Sequence, residues 1–219
     1  HALPDSEAET PSTGAKGGEA GGRAAMSTRY RKAGHADRCA RLTIDRCARQ
    51  PRRLMSELAP APRLLIVWHS RTGASEALAR AAAAGAGDAA WLVPAAEADP
   101  AMLLAAQGYL FCCPENLGSM SGMMKEMFDR AYYPVLGRIE GRPYATMIAA
   151  GSDGEGAQRQ IDRIVTGWRL SRVADPLIVG LAAQTPEAIA APKQVPASSL
   201  SAARTLGGAL GEGLRLGVF

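Results

Sequence analysis

Short apolar runs alternate with helix-forming segments along the chain from Arg63 onward. Five runs predict β-strands, at residues 64–69, 89–93, 108–113, 144–150 and 173–179. Five further segments predict helices, at residues 73–84, 99–106, 119–132, 156–169 and 198–212. Strands that are apolar on both faces are typical of a parallel sheet covered by helices on either side. The alternation therefore predicts an α/β fold with a doubly wound, five-stranded parallel sheet in three α/β/α layers.

The positive charge of the chain is concentrated in its first 54 residues. They contain 11 Lys and Arg and 6 Asp and Glu, a net charge of +5, against +4 for the whole chain. Residues 1–25 have almost no large apolar side chain, so we expect them to be disordered. Residues 1–54 fit a nucleic-acid-binding arm, an organelle-targeting peptide or sequence upstream of the true start. We favour the third interpretation, with Met55 as the start of one folded domain over residues 55–219.

The cysteine and histidine residues predict no metal site. His35, Cys39 and Cys47 match no common zinc spacing, and no fourth ligand lies nearby. Cys112 and Cys113 end an apolar strand, where alternation places one thiol on each face of the sheet. Four cysteines without a disulfide framework suit a reducing compartment, and no apolar stretch is long enough to span a bilayer. We therefore expect a cytoplasmic protein.

The junction after the first predicted strand carries three hydroxyl groups, on Ser70, Thr72 and Ser75. We call it the hydroxyl loop (residues 70–75). Gly73 lets the backbone approach a ligand closely, and a predicted helix follows at once. Hydroxyls and unpaired amides at a helix N-terminus favour a phosphate group, although an ordinary turn with Ser and Thr caps fits the pattern equally well. The loop is neither a dinucleotide fingerprint nor a P-loop, because it lacks their glycine and lysine spacing.

Two more loops leave the carboxyl ends of predicted strands, at residues 113–122 and 151–156. In a doubly wound sheet, ligands bind beyond the carboxyl ends of the strands. The two loops and the hydroxyl loop should therefore converge on one crevice. The 113–122 loop offers backbone amides to a ligand, or it simply leads to a helix capped by Ser119 or Ser121. The glycine-rich 151–156 loop has two interpretations: a loop that closes over a flat ring of a ligand, or a flexible connection without a binding role.

Four sequence blocks carry a more specific signal: residues 66–75 (IVWHSRTGAS), 108–116 (GYLFCCPEN), 118–125 (GSMSGMMK) and 128–130 (FDR). Together they resemble the flavodoxin-like flavoproteins, and within them the branch of NAD(P)H-dependent FMN reductases and quinone reductases. The resemblance covers most of residues 64–179. It implies the flavodoxin-like strand order 2-1-3-4-5 and FMN as the cofactor.

The resemblance also implies which residues hold FMN. In this family the first loop binds the flavin phosphate, and a proline-containing loop lies along the isoalloxazine ring. Carried over to this sequence, the phosphate positions are Ser70, Arg71, Thr72, Gly73, Ala74 and Ser75. The ring positions are Pro114, Glu115, Asn116, Leu117, Gly118 and Ser119, with Gly151, Ser152, Asp153 and Gly154 on the other side.

The activity that the resemblance implies is hydride transfer from NAD(P)H through FMN to a quinone-like or other small acceptor. Electron-carrying flavodoxins usually enclose the ring between aromatic side chains on an acidic body. Here the 113–122 loop has no aromatic residue and residues 55–219 are nearly neutral, which favours an enzyme. The alternatives are an FMN-binding electron carrier that does not oxidise NAD(P)H and a flavin-free interaction module.

The sequence names no catalytic side chain. His69 adjoins the hydroxyl loop, but a single histidine at the end of a strand is more often structural. We expect no nucleic-acid partner for the folded domain, and a homodimer or higher oligomer is compatible with the pattern.

Overall fold

A computed structural model describes residues 63–219 of the chain. The strands are β1 (Leu64–Trp68), β2 (Ala90–Pro94), β3 (Gly108–Asn116), β4 (Ser119–Met120), β5 (Pro143–Ala150), β6 (Ser171–Arg172) and β7 (Leu177–Gly180). The helices are α1 (Ala74–Ala86), α2 (Pro100–Ala105), α3 (Gly122–Val135), α4 (Glu155–Gly167), α5 (Pro186–Ala190) and α6 (Ala197–Leu216). Residues 1–54, including the candidate metal ligands His35, Cys39 and Cys47, lie outside the described residues.

The strands form one sheet in the order β2-β1-β3-β5-β6, with every pair in this path parallel. The predicted α/β doubly wound fold is confirmed. The predicted single strand at 173–179 is wrong in detail, because β6 pairs with the start of β5 and β7 with its end. Pro176 lies in the interruption, and proline cannot donate to a strand ladder. Counted as one interrupted strand, β6 and β7 occupy the fifth place of the expected order.

Helices cover the sheet on both faces and bury two apolar clusters. One cluster joins β1, β3 and β5 to α1 and α6, and the other joins the opposite faces of these strands to α2, α3 and α4. Cys112 belongs to the first cluster and Cys113 to the second, as strand alternation predicts. Among residues 63–219, no helix is long and apolar enough to cross a membrane.

The beginning of α3 differs from the predicted helix at 119–132. β4 pairs antiparallel with the end of β3, so residues 115–120 form a hairpin instead of a first helical turn. Its two turn residues, Leu117 and Gly118, have φ angles of 54° and 70°. Positive φ at both central positions is the geometry of a type I′ turn, which matches the twist of paired strands. The helix therefore starts only at Gly122, after Ser121.

Helices α1 and α6 pack at close range on one face of the sheet. A Cβ added to Gly207 would lie 2.0 Å from the carbonyl oxygen of Ala82, and one added to Gly85 would lie 1.9 Å from that of Arg204. The two backbones touch at these points because glycine has no side chain to separate them. This contact holds the C-terminal half of α1 against α6.

Candidate functional site

A cavity of about 560 Å³ opens at the carboxyl ends of β1, β3 and β5, a size typical of small-molecule sites. The hydroxyl loop, the hairpin at 115–120 and residues 151–152 all contribute to its wall. The three loops that the sequence singled out thus meet in one place, because parallel strands end at the same edge of the sheet.

All predicted site residues except four line this cavity. The lining set comprises Ser70, Arg71, Thr72, Ala74, Ser75, Pro114, Glu115, Asn116, Leu117, Gly118, Gly151 and Ser152. The other four, Gly73, Ser119, Asp153 and Gly154, have structural positions around it. Ser119 Oγ donates to the carbonyl groups of Asn116 and Met120 within the hairpin. Gly154 begins α4 with φ of 76° and packs against Ile178 so closely that a Cβ would lie 2.6 Å from it.

The hydroxyl loop leaves the N-terminus of α1 open to the cavity. Gly73 is the residue before the helix, with φ of 92°, and it supplies no side-chain cap. Its N–H donates to Ser70 Oγ at 3.0 Å, which keeps that amide inside the loop. Ser75 Oγ lies behind them, 1% exposed as a residue and without a hydrogen-bond partner. Among the side chains of residues 63–219, it holds the single buried nitrogen or oxygen atom left unpaired.

The N-terminus of α4 follows the 151–154 loop, and carboxylates of the protein already occupy it. Asp153 Oδ1 accepts the N–H of Glu155 at 3.0 Å, and Glu115 Oε2 accepts the N–H of Ala157 at 2.9 Å. These acidic groups satisfy first-turn amides and match the positive end of the helix dipole. Of these two helix ends, the start of α1 is the one that keeps room for a bound anion in the cavity wall.

A segment that the sequence analysis did not single out forms the remaining wall, and we call it the strap (residues 181–193). It follows β7, includes the short helix α5, and contributes Leu181, Ala183, Gln184, Ile189 and Lys193 to the cavity. The rule that ligands bind beyond the carboxyl ends of strands applies to β7 as well, and it could have identified this segment.

His69 lies at the end of β1 and does not line the cavity. The backbone N–H of His69 donates to the carbonyl of Cys112 at 3.0 Å. The ring Nδ1 is 2.9 Å from Ser121 Oγ. Burial, and secondarily the positive charge of Arg71, lower the pKa of His69 below its usual 6.5. The ring is therefore neutral near pH 7 and links β1 to the start of α3, which agrees with a structural role.

The two cysteines of β3 are not reactive thiolates. Burial raises the pKa of Cys113 to about 12, and burial raises the pKa of Cys112 well above its usual range. The Sγ of Cys112 donates to the carbonyl of Ser75, directly beneath the hydroxyl loop. Both side chains pack as small apolar groups.

Similar structures share the fold at low sequence identity. A flavodoxin, WrbA-like protein from Agrobacterium tumefaciens aligns with a TM-score of 0.58 and 18% identity, covering 71% of this chain and 98% of that one. A flavodoxin from the domain Archaea aligns with a TM-score of 0.56 and 14% identity, covering 70% and 99%. A flavodoxin from Pseudomonas aeruginosa gives 0.54 and 17%, covering 70% and 99%. These likenesses establish a flavodoxin-like fold.

The sequence itself matches one family model. Residues 93–175 match the NADPH-dependent FMN reductase family, a range that includes the hairpin at 115–120 and the loop at 151–154. No curated protein matches the chain by sequence. The family match supports a flavin-binding oxidoreductase. Together with the fold, it confirms the resemblance of this chain to the flavodoxin-like FMN reductase family.

Proposed function

We propose that the chain binds FMN in the 560 Å³ cavity and acts as an oxidoreductase with NAD(P)H as donor and a small, quinone-like molecule as acceptor. The phosphate of FMN would lie at the start of α1, held by the hydroxyls of Ser70, Thr72 and Ser75. The ring would lie between the hairpin at 115–120 and residues 151–152. The family match and the cavity position support this proposal.

The unpaired hydroxyl of Ser75 carries the proposal. A buried hydroxyl without a partner costs roughly 1–3 kcal/mol, so proteins rarely leave one unsatisfied without a reason. The Ser75 hydroxyl lies in the wall of the cavity at an uncapped helix N-terminus. In this setting a phosphate oxygen would accept a hydrogen bond from it. The donor set therefore fits the phosphate of FMN.

The residues of the cavity bind and orient rather than exchange protons. Glu115 is engaged with the amide of Ala157, and Lys193 with carbonyl groups of the strap. Of the charged side chains in the wall, Arg71 makes no hydrogen bond or ion pair to any residue described. Bound FMN would itself supply hydride and electron transfer between the two substrates. The protein's part would be to hold the phosphate and to orient the ring between the hairpin and residues 151–152.

An absorbance experiment tests the proposal. Purified protein is loaded with FMN, freed of excess ligand, and mixed without oxygen first with NADPH or NADH and then with 1,4-benzoquinone. We expect retained flavin absorbance that is lost with the nicotinamide and returns with the quinone, faster than with free FMN at equal concentration. Retained absorbance that neither nicotinamide changes would indicate the electron carrier instead. Failure to retain FMN would contradict the cofactor assignment.

A further inference from the structure

The strap is tied to two loops of the cavity. At one end, the N–H of Leu181 donates to the carbonyl of Ala150 at 2.8 Å, just beyond β5. Next to it, Gly151 approaches the strap so closely that a Cβ would lie 2.6 Å from the Ala183 carbonyl oxygen. At the other end, the N–H of Lys193 donates to the carbonyl of Thr72 at 2.8 Å. The strap thus bridges the ring side of the cavity and the hydroxyl loop.

The hydrogen bond from Lys193 fixes the orientation of one peptide group in the hydroxyl loop. In a trans peptide the C=O and N–H groups point in opposite directions. With the carbonyl of Thr72 held toward the strap, the N–H of Gly73 must point away from it. That N–H is directed into the loop, where it donates to Ser70 Oγ at 3.0 Å. Gly73 has a φ of 92°, which places the peptide in a conformation that few residues other than glycine maintain.

The side chain of Lys193 has a separate task. Its ammonium group donates to the carbonyl groups of Ala188, Ile189 and Ala191, at the C-terminal end of α5. A cation there matches the negative end of the helix dipole and pairs carbonyls that the helix leaves free. The ammonium therefore fixes the shape of the strap, while the backbone N–H connects the strap to the hydroxyl loop.

We propose that Lys193 is a positioning residue: its backbone N–H holds the Thr72–Gly73 peptide so that the N–H of Gly73 donates to Ser70 Oγ, which leaves the Ser70 hydroxyl hydrogen free to donate to the flavin phosphate. This inference rests on the proposed function and adds a specificity determinant to it. The ligand feature that depends on Lys193 is the phosphate group, so the residue contributes to selection of FMN over riboflavin, which has the same ring and no phosphate.

Three variants of the full chain separate the backbone from the side chain. Lys193→Pro removes the N–H and the ammonium, whereas Lys193→Met removes the ammonium and keeps the N–H. Gln194→Pro places proline at the next position, where the N–H donates no backbone hydrogen bond within the described residues. Dissociation constants for FMN and for riboflavin are measured by flavin fluorescence quenching, and thermal unfolding confirms that each variant is folded.

We expect Lys193→Pro to weaken FMN binding roughly fivefold relative to riboflavin binding, the equivalent of one lost backbone hydrogen bond. Gln194→Pro should keep the wild-type ratio of the two affinities, and Lys193→Met should lower it less than Lys193→Pro does. An equal loss for both flavins in Lys193→Pro, or an unchanged ratio, would overturn the positioning role. If Lys193→Met lowers the ratio of FMN affinity to riboflavin affinity as much as Lys193→Pro does, the effect comes from the ammonium group. That result would also overturn the positioning role of the backbone N–H. Wild-type protein that binds neither flavin would refute the proposed function itself, and this inference with it.

Discussion

Ser75 and Ser121 are both buried near the carboxyl edge of the sheet, but their hydroxyl groups have opposite surroundings. Ser121 Oγ is hydrogen-bonded to His69 Nδ1 at 2.9 Å, whereas Ser75 Oγ has no partner. A paired hydroxyl stabilises the folded protein, and an unpaired one opposes folding until a ligand satisfies it. We therefore expect the hydroxyl of Ser121 to contribute to the stability of the folded protein and that of Ser75 to contribute to ligand binding.

Ser75→Ala should raise the stability of the ligand-free protein or leave it unchanged, and it should weaken FMN binding about tenfold to a hundredfold, the loss expected for one hydrogen bond to a charged acceptor. Urea unfolding of the ligand-free protein and FMN titration measure the two effects. Ser121→Ala serves as the matched control, since it should lower the free energy of unfolding by about 1 kcal/mol without changing FMN affinity. Ser75→Ala that destabilises the protein and binds FMN normally would contradict the assignment.

The lowered pKa of His69 predicts a loss of stability on mild acidification. Because burial favours the neutral ring in the folded state, the unfolded state binds a proton first as the pH falls. The loss should begin below about pH 6.5 and be complete once the pH is under the lowered folded pKa. His69→Asn should flatten the dependence of unfolding free energy on pH in this range. An unchanged slope in the variant would show that other groups cause it.

At the scale of whole elements, the close contact between α1 and α6 predicts how glycine substitutions change the free energy of unfolding. Gly207→Ala forces a Cβ into the backbone of Ala82, which cannot yield as a flexible side chain would, so we expect a loss of about 1–3 kcal/mol in the free energy of unfolding. Gly208→Ala is the neighbouring control, where the Cβ would lie 3.4 Å from the nearest atom. It should be neutral or stabilise the helix by up to about 1 kcal/mol. Equal effects at both positions in urea unfolding would refute the close packing.

The hairpin at 115–120 has a strained residue in its turn. Leu117 has a φ of 54° and a fully exposed side chain, although asparagine is the favoured residue at this place in a type I′ turn. Leu117→Asn should therefore raise the free energy of unfolding by about 0.5–1 kcal/mol, as chemical denaturation would show. A weaker affinity for FMN in the same variant would indicate that the Leu117 side chain contacts the flavin ring. Destabilisation by asparagine would contradict the turn assignment.

At the scale of the whole molecule, the sequence predicted the layers and the cavity better than the details around them. Apolar runs identified every strand of the sheet core, and the helix predicted at 99–106 agrees with α2, at whose start Asp99 Oδ1 accepts the N–H of Met102 at 2.8 Å. The hairpin was missed because β4 has only two residues, too few for a periodic pattern. The strap was missed because its position depends on long-range hydrogen bonds, which local residue preferences do not encode.

The division of the chain at residue 54 remains a prediction for the whole molecule. Within the part of the chain that the structure describes, residues 63–219 already supply two apolar clusters and a cavity wall. A chain that begins at Met55 should therefore match the full chain in FMN affinity, and its unfolding free energy should agree within about 0.5 kcal/mol. Parallel flavin titration and denaturation of the two chains check this. A large drop in either quantity for the shorter chain would give residues 1–54 a role in the fold.

The pairing of α1 with α6 also has a consequence for how the protein is made. During synthesis the ribosome releases α1 early, but α6, the helix that packs against it, is made only after the whole sheet. One face of the sheet therefore stays partly uncovered until α6 has been made, with apolar residues such as Ala82 exposed in the meantime. The nascent protein should depend on chaperones most strongly in that interval, and nascent chains stalled before α6 should bind them longest.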